Sequence, residues 1–231
     1  MKYIKGKSFH ASAWWRFQFF FLVVIAYAIL AGCFSAGDSK QYYQLFLQPM
    51  ASPRIVANND DGNALVPPHW DTILMVEPVE MEDIYNDYRI VYRTSNYQLN
   101  YYSRHFWIKK PHRLVRDAIF DYLDGTGYFK KVITGFVEGS PEFLLKVRVY
   151  VIEEIDLAKV WYAHLKMNME LKDFKSGEQI LSHSFNRQTP LIGKKVDNLP
   201  LAISQILKEE LVILLDKLPA ALKEREKTSQ Q

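Results

Sequence analysis

Apolar positions along the chain follow three patterns: one unbroken run near the start, period-two alternation through the middle, and three- and four-residue spacing in two places. Phe19 to Leu30 is the unbroken run, twelve residues that are all apolar or tyrosine. Tyr42-Tyr43-Gln44-Leu45-Phe46-Leu47 is aromatic and β-favouring and predicts a first strand. Thr72 to Val79 predicts a second. Tyr88-Arg89-Ile90-Val91-Tyr92-Arg93 and Tyr97-Gln98-Leu99-Asn100-Tyr101 predict a hairpin across Thr94-Ser95-Asn96. Alternation places Tyr88, Ile90 and Tyr92 on one face of its first strand and Arg89, Val91 and Arg93 on the other. Further on, Leu145, Val147, Val149 and Val151 alternate with Lys146, Arg148 and Tyr150. Trp161, Ala163, Leu165, Met167, Met169 and Leu171 then alternate with Tyr162, His164, Lys166, Asn168 and Glu170. After the break Phe174-Lys175-Ser176-Gly177, a strand from Gln179 to Arg187 completes a hairpin with one buried face.

Helical spacing starts after Lys110-Pro111, because proline suits the first position of a helix. Leu114, Val115, Ala118, Ile119, Tyr122 and Leu123 form one stripe, and Gly125 is the expected terminator. From about Pro200 a second helix presents Ile203, Ile206, Leu207, Glu210, Leu211, Leu214 and Leu218 and is expected to end at Pro219. Residues 220–231 form a polar tail, of which Lys223 to Gln231 is expected to fray. These elements predict a single α/β domain over residues 41–219, a mixed β-sheet with antiparallel hairpins packed against two helices. Pro49 to His69 holds Pro49, Pro53, Pro67 and Pro68 around Asn58-Asn59-Asp60-Asp61-Gly62-Asn63, which predicts a long disordered loop.

Composition agrees with a folded chain: 231 residues, 48% hydrophobic and 24% charged. Charge narrows the function classes. Lys2, Lys5, Lys7 and Arg16 are the bases before Cys33 and no acid precedes it, so the remainder carries 25 of the 29 bases against all 26 acids. That balance is no electrostatic footprint for a nucleic-acid binder, so nucleic acid is excluded as a partner. A single cysteine excludes an internal disulfide framework and any cysteine-based zinc site.

The amino-terminal segment joins a basic, aromatic stretch, the twelve-residue apolar run, and the small residues Ala31 and Gly32, which is the layout of a secretory signal over residues 1–32. A spanning helix needs about 20 apolar residues, and Arg16, Gln18 and the polar stretch Ser35 to Gln41 bound a shorter run. Leu30-Ala31-Gly32-Cys33 resembles the lipobox of bacterial lipoproteins, with the only cysteine at its required place. The resemblance implies lipidation of Cys33, cleavage before it, and attachment to a membrane through the lipidated cysteine, with residues 33–40 as cysteine and spacer. Two or more acyl chains anchor stably at about 0.8 kcal/mol per buried methylene. Phe34 stands where an aspartate commonly retains such proteins in the inner membrane, which favours the outer membrane, lipid-anchored and facing the periplasm.

Catalytic and metal chemistry finds little support in the spacing. His69, His105, His112, His164 and His183 lie at least seven residues apart, which is not the one-turn spacing of a zinc helix, and no metal site is assigned. His164 falls on the polar face of its strand and His183 alternates with Leu181 and Phe185, a solvated and a core-edge histidine. Gly125-Thr126-Gly127 lacks the lysine of a phosphate loop, and no Gly-x-Ser-x-Gly elbow occurs. Glu153, Glu154 and Asp156 read as solvated carboxylates at a strand end, and adjacent glutamates point to opposite faces, unlike a glycosidase pair. No catalytic residue is assigned and no cofactor is implied, so a binding or assembly protein is favoured over an enzyme.

After the lipobox come Tyr42-Tyr43-Gln44-Leu45, the strand Ile73-Leu74-Met75-Val76-Glu77-Pro78-Val79, then Ile90-Val91-Tyr92-Arg93, Trp107 four residues before Pro111, and a helix ending near Gly127-Tyr128-Phe129. This order, over most of Tyr42 to Leu218, resembles the ABC-type transport auxiliary lipoproteins, partners of MCE-domain lipid transport systems in the Gram-negative envelope. The resemblance implies a lipid-anchored periplasmic domain that works beside an MCE-domain protein and an inner-membrane ABC transporter. Its role there would be to dock the conduit at the outer membrane and hand over phospholipid. A second copy of this chain and a phospholipid are further candidate partners. Independently of the family, aromatic residues crowd positions 85 to 107, and rings beside arginines are the composition of interface hot spots. Arg89, Arg93, Tyr97, Tyr101, Tyr102 and Trp107 are therefore the partner-binding candidates. Two other classes stay open: an assembly lipoprotein for another outer-membrane complex, and an envelope hydrolase using scattered carboxylates.

Overall fold

The computed structural model describes residues 39–48, 70–136, 139–157 and 159–228. The apolar run, Cys33 and the loop from Pro49 to His69 lie outside the described residues. Lys40 to Gln231 forms one compact unit.

Nine strands and two helices make up this unit in the described residues: β1 (Gln41–Tyr43), β2 (Trp70–Val76), β3 (Glu80–Met81), β4 (Arg89–Ser95), β5 (Gln98–Trp107), α1 (Pro111–Thr126), β6 (Phe129–Ile133), β7 (Phe143–Asp156), β8 (Trp161–Asp173), β9 (Gln179–Pro190) and α2 (Leu199–Thr228). The long strand β7 organises the sheet. One of its edges pairs along its whole length with β8, antiparallel, and β8 pairs with β9 in the same sense. Its other edge is shared in succession by β2, β3 and β4, all parallel to it. Strand β6 adds beside β2, while β5 and then β1 add beside β4. This is the mixed α/β sheet with two helices that the sequence predicts.

Both helices lie on one face of the sheet, where Leu123 of α1 and Leu214, Leu215 and Leu218 of α2 meet Leu74, Leu145 and Leu171. The inward positions of β7 and β8, Leu145, Val147, Val149, Ala163, Leu165, Met167, Met169 and Leu171, are all buried. The predicted stripe of α1 is buried from Leu114 to Leu123, and Pro111 opens the helix. The helix passes through Gly125 and stops two residues later, because Gly127 adopts the left-handed conformation at φ 68° that a C-terminal cap requires.

Other boundaries move for reasons that lie elsewhere in the chain. The first strand ends at Tyr43, since ladder partners run out at Trp107, yet Leu45 and Leu47 continue inward and are buried. Helix α2 runs through Pro219 to Thr228. An interior proline costs about 3 kcal/mol. Here the apolar stripe resumes in register beyond it, with Leu218 buried and Leu222 packed on the core, and Arg225 ion-pairs with Asp173 at 2.6 Å. The segment expected to fray is therefore helical as far as Thr228. Strands β3 and β6 were not predicted. Alternation also fails in β4, where Ile90 and Val91 are both buried. There β5 takes five steps, Tyr101 to Phe106, while β4 takes two, Arg89 to Val91, and the bulge rotates the strand.

Candidate functional site

The aromatic hairpin β4–β5 is built outward from β7. At its base Glu153 and Glu154, adjacent on β7, are 1% and 0% exposed, so the reading of solvated carboxylates is corrected. They face different partners. Glu153 accepts hydrogen bonds from Arg93 Nε at 2.8 Å and Tyr85 Oη at 2.9 Å, and lies 3.2 Å from His164 Nδ1. His164, expected to be solvated, is thus held between Glu153 and Asn186, whose Oδ1 lies 2.7 Å from its Nε2. Burial works to raise the Glu153 pKa, but hydrogen bonds from His164, Arg93 and Tyr85 outweigh it and hold the carboxyl below its ordinary value. The same burial, with the Glu153 charge alongside, pushes the Tyr85 phenol up to about 12.

Glu154 receives one bond, from Tyr102 Oη at 2.6 Å, and its second carboxylate oxygen is buried without a partner. Burial pushes its pKa up to about 7, helped by Asp156 and opposed by the Tyr102 hydrogen bond. Tyr102 also packs its ring on Tyr92, with centroids 4.5 Å apart. Two carboxylates committed to different partners in this way do not face a common cleft, as glycoside hydrolysis would need.

The six partner-binding candidates consequently separate. Trp107 is 2% exposed and belongs to the core, so it is removed from the surface set. Tyr102 and Arg93 are largely internal, and Arg93 braces the hairpin: besides Glu153 it donates to the carbonyl of Asn96 in the turn at 3.1 Å. Tyr97, at that turn, is 99% exposed. Arg89 lies over the ring of Tyr101 at 4.1 Å, and Tyr101 donates to the Ile84 carbonyl. With Tyr88 and Ile84, both exposed, they form a lateral aromatic patch. Ile84 was not among the candidates, because nothing local to it signals the patch.

His105 and His183 are also held by neighbouring side chains. His164 and His183 do not meet across the last hairpin: His164 pairs in register with Gln188, and His183 with Met169. His183 is buried, as expected, and its Nε2 lies 2.7 Å from Glu210 of α2, which also accepts from Arg187 at 3.0 Å. His105 joins Tyr43 at 2.8 Å, and Tyr43 in turn donates to Asp197. Among the described residues no group of three or more metal-binding side chains occurs, and no helix is long and apolar enough to cross a membrane. An apolar gap of about 10 Å³, room for about one water molecule, lies between α1, α2 and the sheet, lined by residues such as Leu74, Leu181 and Leu218. It is below the roughly 300–1,000 Å³ of typical ligand sites.

Two helices on one face of a mixed sheet, a buried polar network beneath the hairpin, and apolar side chains left exposed at a hairpin turn and a lateral patch are what the fold presents. Residues 60–211 match the family described as ABC-type transport auxiliary lipoprotein component, and the chain belongs to that family. It is accordingly an auxiliary, membrane-anchored lipoprotein component of an ABC-type transport system of the cell envelope. No curated protein matches the chain. The fold is similar to that in the crystal structure of protein XCC0632 from Xanthomonas campestris, with 16% identity, a TM-score of 0.62, and coverage of 83% of this chain and 100% of that one. It is also similar to that of a solved uncharacterized protein, at 16% identity and a TM-score of 0.59, over 78% of this chain and 99% of that one.

Proposed function

We propose that this auxiliary lipoprotein is held in the outer membrane through an acylated Cys33 and works from the periplasmic side as a docking or handover factor. Its transport system is of the MCE type, with an inner-membrane ABC transporter and phospholipid as cargo. The observation that carries this reading is the coincidence of two independent features. The family match covers most of the folded unit, and the only cysteine of the chain closes an apolar segment with small residues before it. Of the expected docking residues Tyr97 and Arg89 are exposed and Tyr101 partly so, Tyr88 adds to them, and an arginine stacked on a tyrosine is suited to an interface centre.

Affinity purification of the full-length protein from its native membranes, in a mild detergent, tests this reading. The expected co-purifying proteins are an MCE-domain protein and an ABC permease, and Arg89→Glu should reduce their recovery several-fold. Recovery of only a β-barrel assembly complex would contradict it and favour the assembly-lipoprotein class.

A further inference from the structure

The register of the sheet gathers several chain reversals at one end of the molecule. Arg93 of β4 pairs in parallel with Ile155 of β7, so the β4–β5 turn at Tyr97 extends past the same end as Asp156. Trp161 lies opposite Asp156, which places the β7–β8 turn there. Tyr162 lies opposite Pro190, and the Leu191 amide bonds to the Trp161 carbonyl, which places the start of the β9–α2 connection there too. Each reversal exposes an apolar side chain: Tyr97, Leu157 with Val160, and Ile192, the last 84% exposed. Exposed lysines accompany them, Lys159 between Leu157 and Val160, and Lys194 and Lys195 after Ile192. Across the sheet these reversals span three to four strand spacings, a footprint about 17 Å wide.

The amino-terminal approach points the same way. Strand β1 is parallel to β5 and starts opposite His105, so β1 begins at Gln41 on its side facing the start of β5. Along β4, Phe106 lies opposite Arg89 and Gln98 opposite Ser95, so β5 extends about 20 Å back to the turn. Eight residues link Cys33 to Gln41, and they reach no further than about 29 Å. A lipid on Cys33 would therefore stay within about 29 Å of Gln41.

We infer that this end of the domain rests on the bilayer, with Tyr97, Leu157, Val160 and Ile192 entering the headgroup region and Lys159, Lys194 and Lys195 meeting anionic phospholipid headgroups. The inference rests on the proposed anchoring at Cys33. Aromatic and aliphatic tips flanked by lysine suit such a boundary because rings and aliphatic groups leave water while the charged ends stay in it. The bond from Arg93 to the Asn96 carbonyl holds the turn backbone beside Tyr97. With the Asp156 end at the bilayer, the opposite end of β7 projects away from it, and the lateral patch around Arg89 stays accessible from the side.

The test uses the full-length acylated protein in vesicles of phosphatidylethanolamine and phosphatidylglycerol with brominated acyl chains. A fluorophore is attached in turn through Tyr97→Cys, Ile192→Cys and, in the exposed β8–β9 turn at the opposite end, Lys175→Cys, and acylation of Cys33 is measured by mass on each sample. Bromine quenching at positions 97 and 192, several-fold above that at 175, is the expected result. Equal, weak quenching at all three positions in an acylated sample would overturn the membrane contact while leaving the anchor intact. Shielding of 97 and 192 from water without bromine quenching would also overturn it, by showing a protein there. Strong quenching at 97 and 192 in a sample without acylation would support the contact and overturn the anchor.

Discussion

Glu154 carries the clearest consequence of a single residue's surroundings. Its folded-state pKa of about 7 lies above the ordinary carboxyl value of 4.5, so the native state holds its proton more tightly than the unfolded chain does. Stability from this group is complete below pH 4.5 and is lost as the pH rises through 7. At 1.36 kcal/mol per pH unit, the loss approaches about 3 kcal/mol by pH 8. Glu154→Gln cannot ionise, so its chemical-denaturation midpoint should match the parent's near pH 4 and exceed it at pH 8; a constant difference at all pH values would contradict the assignment. Glu153 behaves oppositely. Its lowered pKa contributes stability above 4.5 that is lost as pH falls further. Removing its partner with Arg93→Ala should cost about 3–5 kcal/mol, because a buried charge is left without compensation. Neither burial was legible from the sequence. Arg93 and Tyr85 lie 60 and 68 residues from Glu153, so the local pattern showed only two charged residues near a strand end.

At the scale of elements, locally coded features were legible and features coded by distant partners were not. The stripe of α1 and the alternation of β8 repeat within one segment, and both were read directly from spacing. Strand β6 exists because β2 lies beside it, and the bulge of β5 exists because β4 is shorter over that stretch. Pro219 misled for a related reason: the burial that offsets its cost is supplied by the sheet, not by its neighbours in sequence. Leu211 is fully buried where α2 crosses β8 and β9. Leu211→Ala should therefore destabilise the domain by about 2–5 kcal/mol, while Lys208→Ala should change it little. Melting curves of the two variants check this, and equal small shifts would mean that α2 is not held on the sheet.

For the molecule as a whole, the α/β sheet with two helices and the place in a transport auxiliary family were both accessible from the order of short segments between Tyr42 and Leu218. The proposed docking surface was only half accessible. Sequence identified the aromatic hairpin, and the three-dimensional register then sent Trp107 into the core, engaged Tyr102 and Arg93 internally, and left Tyr97 and the Arg89–Tyr101 pair outside. Alternation could not sort these residues because the bulge at Tyr101–Phe106 resets which face each ring occupies. What would join the folded unit to its proposed role is the proposed attachment at Cys33, since docking at the outer membrane requires the protein to be held there. Membrane fractionation of Cys33→Ser beside the parent measures that attachment directly. The expected result is a parent confined to the outer-membrane fraction and a variant that leaves it, and a variant that stays in the outer membrane as firmly as the parent would contradict the anchored role.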